Sequence, residues 1–476
     1  MTLADASTRT FDAQLDDLPV GRTHWRVVIA VGLGLFFDLY EVFLSGTIGT
    51  ALTAFKVTGT QQQLLLASAF IGMFVGAAAF GNLADRIGRR PTFLWTLVWY
   101  SAWSLIGAFS VNAWMLVACR FIAGIGVGAQ YPVSDAYLSE TLPREWRGRM
   151  ASWAYTFSFL AVPAVGFLAL GLNAHPLFGI TGWRWLLGLG AVGAICVVFL
   201  RRGLPESPRW LNRVGRFDEA DASLADFARG SRVELQPIDR SAAGAAPAQA
   251  SVPASGSASV PGTGPGPGDA SAAAVPQRGS LWRPPYRGRL VMLVIFHLFQ
   301  TFGYYGFGTL AALTLVARGY DTTSSLLYVA LSYLGYPLGS LLSTPLLAKI
   351  ERKWLIVGSL VALAASGLLF ATSRVEALIV VFGFLTTVIS NVFSNAYHIY
   401  QAEIFPTEYK ASAVGWTYSL SRLSSGALPF VLVPVLNASG AGPMFTIVAV
   451  ALAIVAAAVI IGGPLTMKRS LSEINP

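Results

Sequence analysis

Twelve apolar stretches, separated by short polar breaks, leave this chain few ways to fold. Runs such as Val27 to Phe37, Trp185 to Leu200 and Thr446 to Ile461 approach or reach the roughly 20 residues that a helix needs to cross a hydrocarbon core of about 30 Å. In lipid the backbone must satisfy its own polar groups, so segments of this length become helices. Composition agrees: 54% of the 476 residues are hydrophobic and 12% charged, against about 25% charged in a soluble domain. Six spans fall at about 25–46, 64–83, 92–110, 113–138, 150–171 and 183–200; six more fall at about 290–316, 323–348, 354–372, 376–401, 411–436 and 443–463.

The net charge of +9 could suggest nucleic acid as a partner, but its distribution argues for a lipid bilayer. Arg86, Arg89 and Arg90, then Arg144, Arg147 and Arg149, then the arginines between Arg201 and Arg216, then Lys349, Arg352 and Lys353, and finally Lys468 and Arg469 all fall in loops on one side. The opposite loops hold little more than Lys56, Arg318 and Arg374. This asymmetry predicts a multi-pass protein of the cell (inner) membrane with both termini cytoplasmic. Residues 1–24 lack a signal-peptide core, so the first helix is expected to act as the insertion signal. Cys119 and Cys196 lie inside apolar runs and read as packing residues, with no disulfide or metal site implied.

The expected organisation is a cytoplasmic segment (1–24), a six-helix bundle (25–200), a cytoplasmic loop (201–289), a second six-helix bundle (290–463) and a tail (464–476). The loop begins with a helix-compatible stretch, Pro208 to Arg229, in which Trp210, Leu211, Val214 and Phe217 are expected to form an apolar stripe. From Ser241 to Ala274 it is Ala, Gly, Ser and Pro, a composition that reads as a flexible tether.

Between the second and third segments stands Gly81-Asn82-Leu83-Ala84-Asp85-Arg86-Ile87-Gly88-Arg89-Arg90. Gly81 and Gly88 suit close approach and a tight turn, and Asp85 can sit at a helix N-terminus and pair with an arginine. This stretch resembles the signature loop of the major facilitator superfamily. Arg120 with Gly124, Gly126 and Gly128 is similar to the family's fourth-helix motif, the glycines lying inside an apolar helix where they favour close packing. Glu140 and Arg147 sit in a stretch that resembles the fourth-to-fifth loop of sugar porters. Pro205-Glu206-Ser207-Pro208-Arg209 and Glu403-Ile404-Phe405-Pro406-Thr407-Glu408 are similar to the sequences after the sixth and tenth helices of the same group. The resemblance implies an all-α membrane protein of 12 transmembrane helices in two six-helix bundles, with Gly81, Asp85, Arg86, Gly88, Arg89, Arg90, Glu140, Arg147 and Glu403 serving the cytoplasmic gate. The second-half counterpart, Lys349-Ile350-Glu351-Arg352-Lys353, lacks the aspartate and the glycine. No phosphate-binding loop or zinc motif is present, which argues against an ATP-driven pump or a metalloprotease.

Ionisable residues within a span cost about 2.5–3.5 kcal/mol each on insertion scales, so the few present are functional candidates. Asp38 and Glu41, three apart on one helical face, resemble the acid-x-x-acid pattern in the first helix of the niacin-transporter and synaptic-vesicle-protein branch and of aromatic-acid proton symporters. Asp38 and Arg120 lie at similar depth, about 10–12 Å from the outer boundary at 1.5 Å rise per residue. The expectation is an ion pair in which Asp38, rather than Glu41, binds the coupling proton beside Arg120; a permanent structural salt bridge is the alternative. Arg422 falls near the middle of the eleventh span, where a guanidinium fork suits a carboxylate; its alternative is pairing with an internal acid. Gln300, Tyr304 and Tyr305 in the seventh span, with Asn391 and Asn395 in the tenth, complete the candidate substrate site; His398 shares the face of those two asparagines near the cytoplasmic end, where it is read as a cap or a proton-release group.

The reading is a secondary transporter, not an enzyme, that moves a small organic anion such as an aromatic or heterocyclic carboxylate by proton-coupled symport. It needs no cofactor beyond the proton and is expected to be a monomer. A sugar or polyol carrier, an exporter and a non-transporting sensor stay open as alternatives.

Overall fold

The computed structural model describes residues 9–48, 55, 57, 59–175, 177–200, 203–239, 284–405, 407–467, 469 and 474. Among these, ten helices are long and apolar enough to cross a bilayer. In chain order the transmembrane helices are the first (Arg22–Thr47), second (Gly59–Ile87), third (Arg89–Ala108), fourth (Ala113–Thr141), fifth (Arg147–Ser158 with Ala161–Ala174) and sixth (Gly182–Leu200). The seventh (Tyr286–Ala317), eighth (Thr322–Tyr333 with Gly335–Lys349), ninth (Arg352–Thr372), tenth (Glu376–Glu403), eleventh (Thr407–Ser439) and twelfth (Ala441–Gly462) follow. The second and third lie outside the ten, yet each is as long as its neighbours and packs among them; three tryptophans and several hydroxyl residues make the third less apolar.

Two bundles result. The second and third helices pack on the fourth and the sixth on the third; in the second bundle the ninth packs on the tenth and twelfth, the tenth on the eighth, and the seventh on the eleventh and twelfth. The glycines of the fourth helix do what their spacing predicts: a Cβ at Gly124 would lie 2.2 Å from the Ala69 carbonyl oxygen, and one at Gly128 2.1 Å from that of Met73. Only glycine lets these two backbones meet.

The bundles touch through the first and seventh, the second and eleventh, and the fifth and eighth helices. Contact is dense toward the end remote from the signature loop. There Phe43 of the first helix packs edge-on to Tyr333 and Tyr336 of the eighth at 5.8 and 5.2 Å, and Phe159 stacks on Tyr336 at 6.4 Å. At the signature-loop end, every ion pair among the described residues stays within one half of the chain. Asp135 and His398, set among the helices, are nevertheless exposed, as residues lining a crevice that opens toward that end would be.

Both ends of the described chain lie beside the arginine-rich loops. Asp16 accepts from Arg147 at 2.8 Å and from Arg209 at 2.6 Å, and the carbonyl of Ile474 accepts from Arg289 at 2.7 Å. The stripe expected from Pro208 to Arg229 is corrected. The chain turns at Gly215, with φ of +80°, so two short helices form, Pro208–Arg213 and Phe217–Ser231. Trp210 and Leu211 are buried, but Val214 and Phe217 are exposed; Ala220, Leu224 and Phe227 form the apolar face and meet Phe11, Leu15 and Leu18 of the N-terminal segment. The expected tether, 241–274, lies outside the described residues. Cys119 is buried as a packing residue, whereas the Cys196 side chain is outside the described set.

Candidate functional site

The signature loop fastens helices within the first bundle. Gly88 adopts φ of +106°, a conformation that favours glycine, and a Cβ there would crowd Glu206 Oε2 at 2.5 Å. The Glu206 carboxylate accepts from the backbone N–H groups of Arg89 (3.1 Å), Arg90 (3.1 Å) and Ser207 (2.8 Å), capping the third helix where orphan amides and the helix dipole favour an anion. Burial raises the Glu206 carboxyl above its ordinary range, and these amides with the Arg89 charge oppose that shift. Arg89 donates to Glu140 through Nε (3.1 Å) and Nη2 (2.9 Å) and to the Ala84 carbonyl (2.7 Å). Arg147 bonds Asp16, and Arg86 is exposed. Gly81 and Asp85 fall in the second helix, but their side chains are outside the described set.

The second-half loop keeps half of this device and reverses the rest. Arg352 pairs with Glu403 at 3.1 Å, the counterpart of Arg89 with Glu140. The capping acid, however, sits in the loop itself: Glu351 accepts from the N–H groups of Thr466 (2.9 Å) and Met467 (3.0 Å) just past the twelfth helix. Lys353 donates to the carbonyls of Ile460 and Gly463, both at 2.8 Å, closing that helix's C-terminus.

In the first bundle the ion pair predicted for Arg120 forms with Glu41. Arg120 Nη1 donates to Glu41 Oε2 at 2.5 Å, while Nη2 donates to the Glu41 carbonyl (2.8 Å) and to Ser45 Oγ (2.6 Å). Ser104 Oγ donates to the other Glu41 oxygen at 2.5 Å. The expected pairing with Asp38 is thus corrected: Glu41, one turn nearer the helix end, is the acid that reaches Arg120. Asp38 is itself fully buried.

Arg422 has a different environment. It is 5% exposed, and its Nη1 donates to Tyr305 Oη (2.8 Å) and Nη2 to Tyr418 Oη (2.9 Å). Its guanidinium carbon lies 5.6, 5.7 and 5.2 Å from the ring centres of Tyr131, Tyr305 and Tyr418, inside the range of cation–π attraction. Among the described residues no carboxylate lies within ion-pair distance of it, so the alternative of an internal acid finds no partner there.

The other expected substrate residues divide. Tyr304 packs edge-on to Tyr305 at 4.8 Å, and Gln300 is buried beside them on the seventh helix. Asn391 and Asn395 instead brace the broken eighth helix: Asn391 Nδ2 donates to the Tyr336 carbonyl at 2.5 Å and Asn395 Nδ2 to Ser343 Oγ at 2.7 Å. The single face drawn through Asn391, Asn395 and His398 therefore splits, with His398 turned to Tyr397 and Tyr418 at 4.2 and 5.7 Å. Residues not foreseen are Tyr131 and Tyr418, which flank Arg422, and Asp135, one turn from Tyr131, whose carboxylate accepts from the Tyr155 hydroxyl. Asp135 is an intramembrane acid, and that alone was a usable signal.

With this geometry in place, the comparisons decide the family. The family profile "Sugar (and other) transporter" matches residues 27–476. The chain belongs to that family, within the major facilitator superfamily. It is 31% identical over 417 residues to the putative metabolite transport protein YyaJ of Bacillus subtilis, covering 87% of this chain and 86% of that one. It is 29% identical to the niacin transporter NiaP of Acinetobacter baylyi over 97% of this chain and 99% of the relative. Among solved structures, the xylose transporter XylE from Escherichia coli in a partially occluded inward-open conformation matches with TM-score 0.71 at 20% identity, over 94% of this chain and 99% of that one. The fold is thus the twelve-helix transporter fold, and the protein is a multi-pass membrane transporter of small molecules.

Proposed function

We propose that the protein carries a small organic anion, an aromatic or heterocyclic carboxylate, together with a proton, by alternating access. One observation carries the anion: Arg422, a buried cation whose guanidinium is held by tyrosine hydroxyls and rings. Burying an uncompensated charge is costly, and a bidentate carboxylate is the ligand a guanidinium fork fits best. The surrounding tyrosine rings suit a planar aromatic body. The relative named as a niacin transporter supports the same class.

The proton belongs on the Asp38–Glu41 pair in this reading, two buried carboxylates one helical turn apart in the first span, with Asp38 the favoured carrier. The solved relative titled a D-xylose–proton symporter supports proton coupling. The side carrying the arginine-rich loops is assigned to the cytoplasm on charge alone. The test is binding by purified protein of carboxylates against their amides, followed by pH-gradient-driven uptake in proteoliposomes. Equal binding of acid and amide would sink the anionic substrate.

A second reading, a neutral sugar or polyol, is favoured by the buried amide of Gln300 and by the xylose-carrying neighbours. Adding sugars to the same binding comparison separates it, since they would then bind where carboxylates and their amides do not.

A further inference from the structure

We infer that His398 is a specificity-determining contact for the ring of the carried anion, selecting a heteroaromatic carboxylate whose ring bears a hydrogen-bond acceptor. The inference rests on the reading that Arg422 takes the carboxylate. His297 Nε2–H donates to Gln401 Oε1 at 3.0 Å, and Gln401 Nε2–H donates to His398 Nδ1 at 3.2 Å. An amide has its donor and acceptor on opposite atoms, so this bridge gives the two imidazoles unlike roles. With Nδ1 accepting, the proton of neutral His398 sits on Nε2.

Position makes that N–H useful. His297 is fully buried, whereas His398 is exposed. Between His398 and Arg422 stands the Tyr418 ring, its centre 5.7 Å from the imidazole centre and 5.2 Å from the guanidinium carbon. A carboxylate-bearing six-membered ring can bridge such a span: its acid group lies on Arg422, its face along Tyr418, and its far edge at His398. A ring nitrogen there accepts the imidazole N–H. A ring C–H there would strip water from that donor and offer nothing in return, a loss that polar sites impose on analogues lacking the matching group.

The experiment is isothermal titration of the purified full-length protein at pH 7 with nicotinate and with benzoate, in wild type, His398→Phe and His398→Gln. Wild type is expected to bind nicotinate about tenfold tighter than benzoate, the equivalent of one hydrogen bond. His398→Phe removes that donor and should strengthen benzoate and weaken nicotinate until the two bind alike, and His398→Gln, which keeps an N–H donor, should restore part of the preference. A preference that survives in His398→Phe, a wild type with none, or equal weakening of both acids in His398→Phe overturns the assignment while leaving the anion reading standing. Binding of neither acid to wild type overturns both.

Discussion

Arg120 is buried within the first bundle and Arg422 where the two bundles meet, at 2% and 5% exposure, and the protein holds them in opposite ways. Arg120 has a carboxylate, a backbone carbonyl and a serine hydroxyl as acceptors. Arg422 has two tyrosine hydroxyls and three ring faces. A charge that needs only to be stored is paired internally; a charge left to neutral dipoles waits for a partner from outside. The first bundle thus resembles a closed circuit, and the Arg422 site an open socket.

The largest expected effect breaks the socket. Arg422→Ala should weaken binding of the preferred carboxylate by roughly 30-fold or more, since truncating one side of a buried charged contact costs about 2–5 kcal/mol. Arg422→Lys should fall between, because an ammonium cannot reproduce the bidentate fork. Titration calorimetry measures both, and unchanged affinity in either variant would remove the main support for an anion.

Breaking the circuit should act on coupling. Glu41→Gln leaves Arg120 without its carboxylate, and loss of one member of a buried pair costs about 3–5 kcal/mol of stability, so a lower unfolding temperature is expected. Substrate binding should stay within a few-fold. Asp38→Asn should abolish accumulation driven by a pH gradient while substrate exchange across the membrane persists. Uptake by Asp38→Asn that an uncoupler still collapses would take the proton from that residue.

Smaller effects should sharpen the contrast. Tyr305→Phe and Tyr418→Phe each delete one hydroxyl from Arg422 and keep its ring, so each should change carboxylate affinity by about 1 kcal/mol, roughly fivefold. A fiftyfold loss in either would show that the hydroxyl itself contacts substrate.

How much of this was legible beforehand follows from what kind of force fixes each feature. Span number and the glycine contacts of the fourth helix are written in local composition, because lipid and close packing select residue types directly. The partner of Arg120 was missed by one helical turn, since Asp38 and Glu41 share a face and only the rotation of the first helix against the fourth chooses between them. Asn391 and Asn395 looked like substrate ligands because their spacing says which face they share and not what that face meets; it meets the broken eighth helix. Glu351 read as erosion of a motif, whereas it keeps the capping chemistry from the other side of the contact.

Glu206 extends the comparison to the acid side, at the surface of the first bundle. Like Arg422 it is a largely buried charge held chiefly by neutral groups, here the amides of Arg89, Arg90 and Ser207. Burial nevertheless leaves its carboxyl raised above the ordinary value. For an acid whose folded value exceeds its unfolded one, the native state binds the proton more tightly. Its contribution is therefore fully present below the ordinary carboxylate range and is lost as pH climbs through the raised value. Glutamine at this position keeps an acceptor oxygen and does not titrate. Thermal unfolding from pH 4 to pH 7 should accordingly show Glu206→Gln gaining on wild type as pH rises. A difference that does not vary with pH would mean that the three amides fully replace the lost water, and that a buried charge can be held by neutral dipoles at no cost, at Glu206 and, by the same logic, at Arg422.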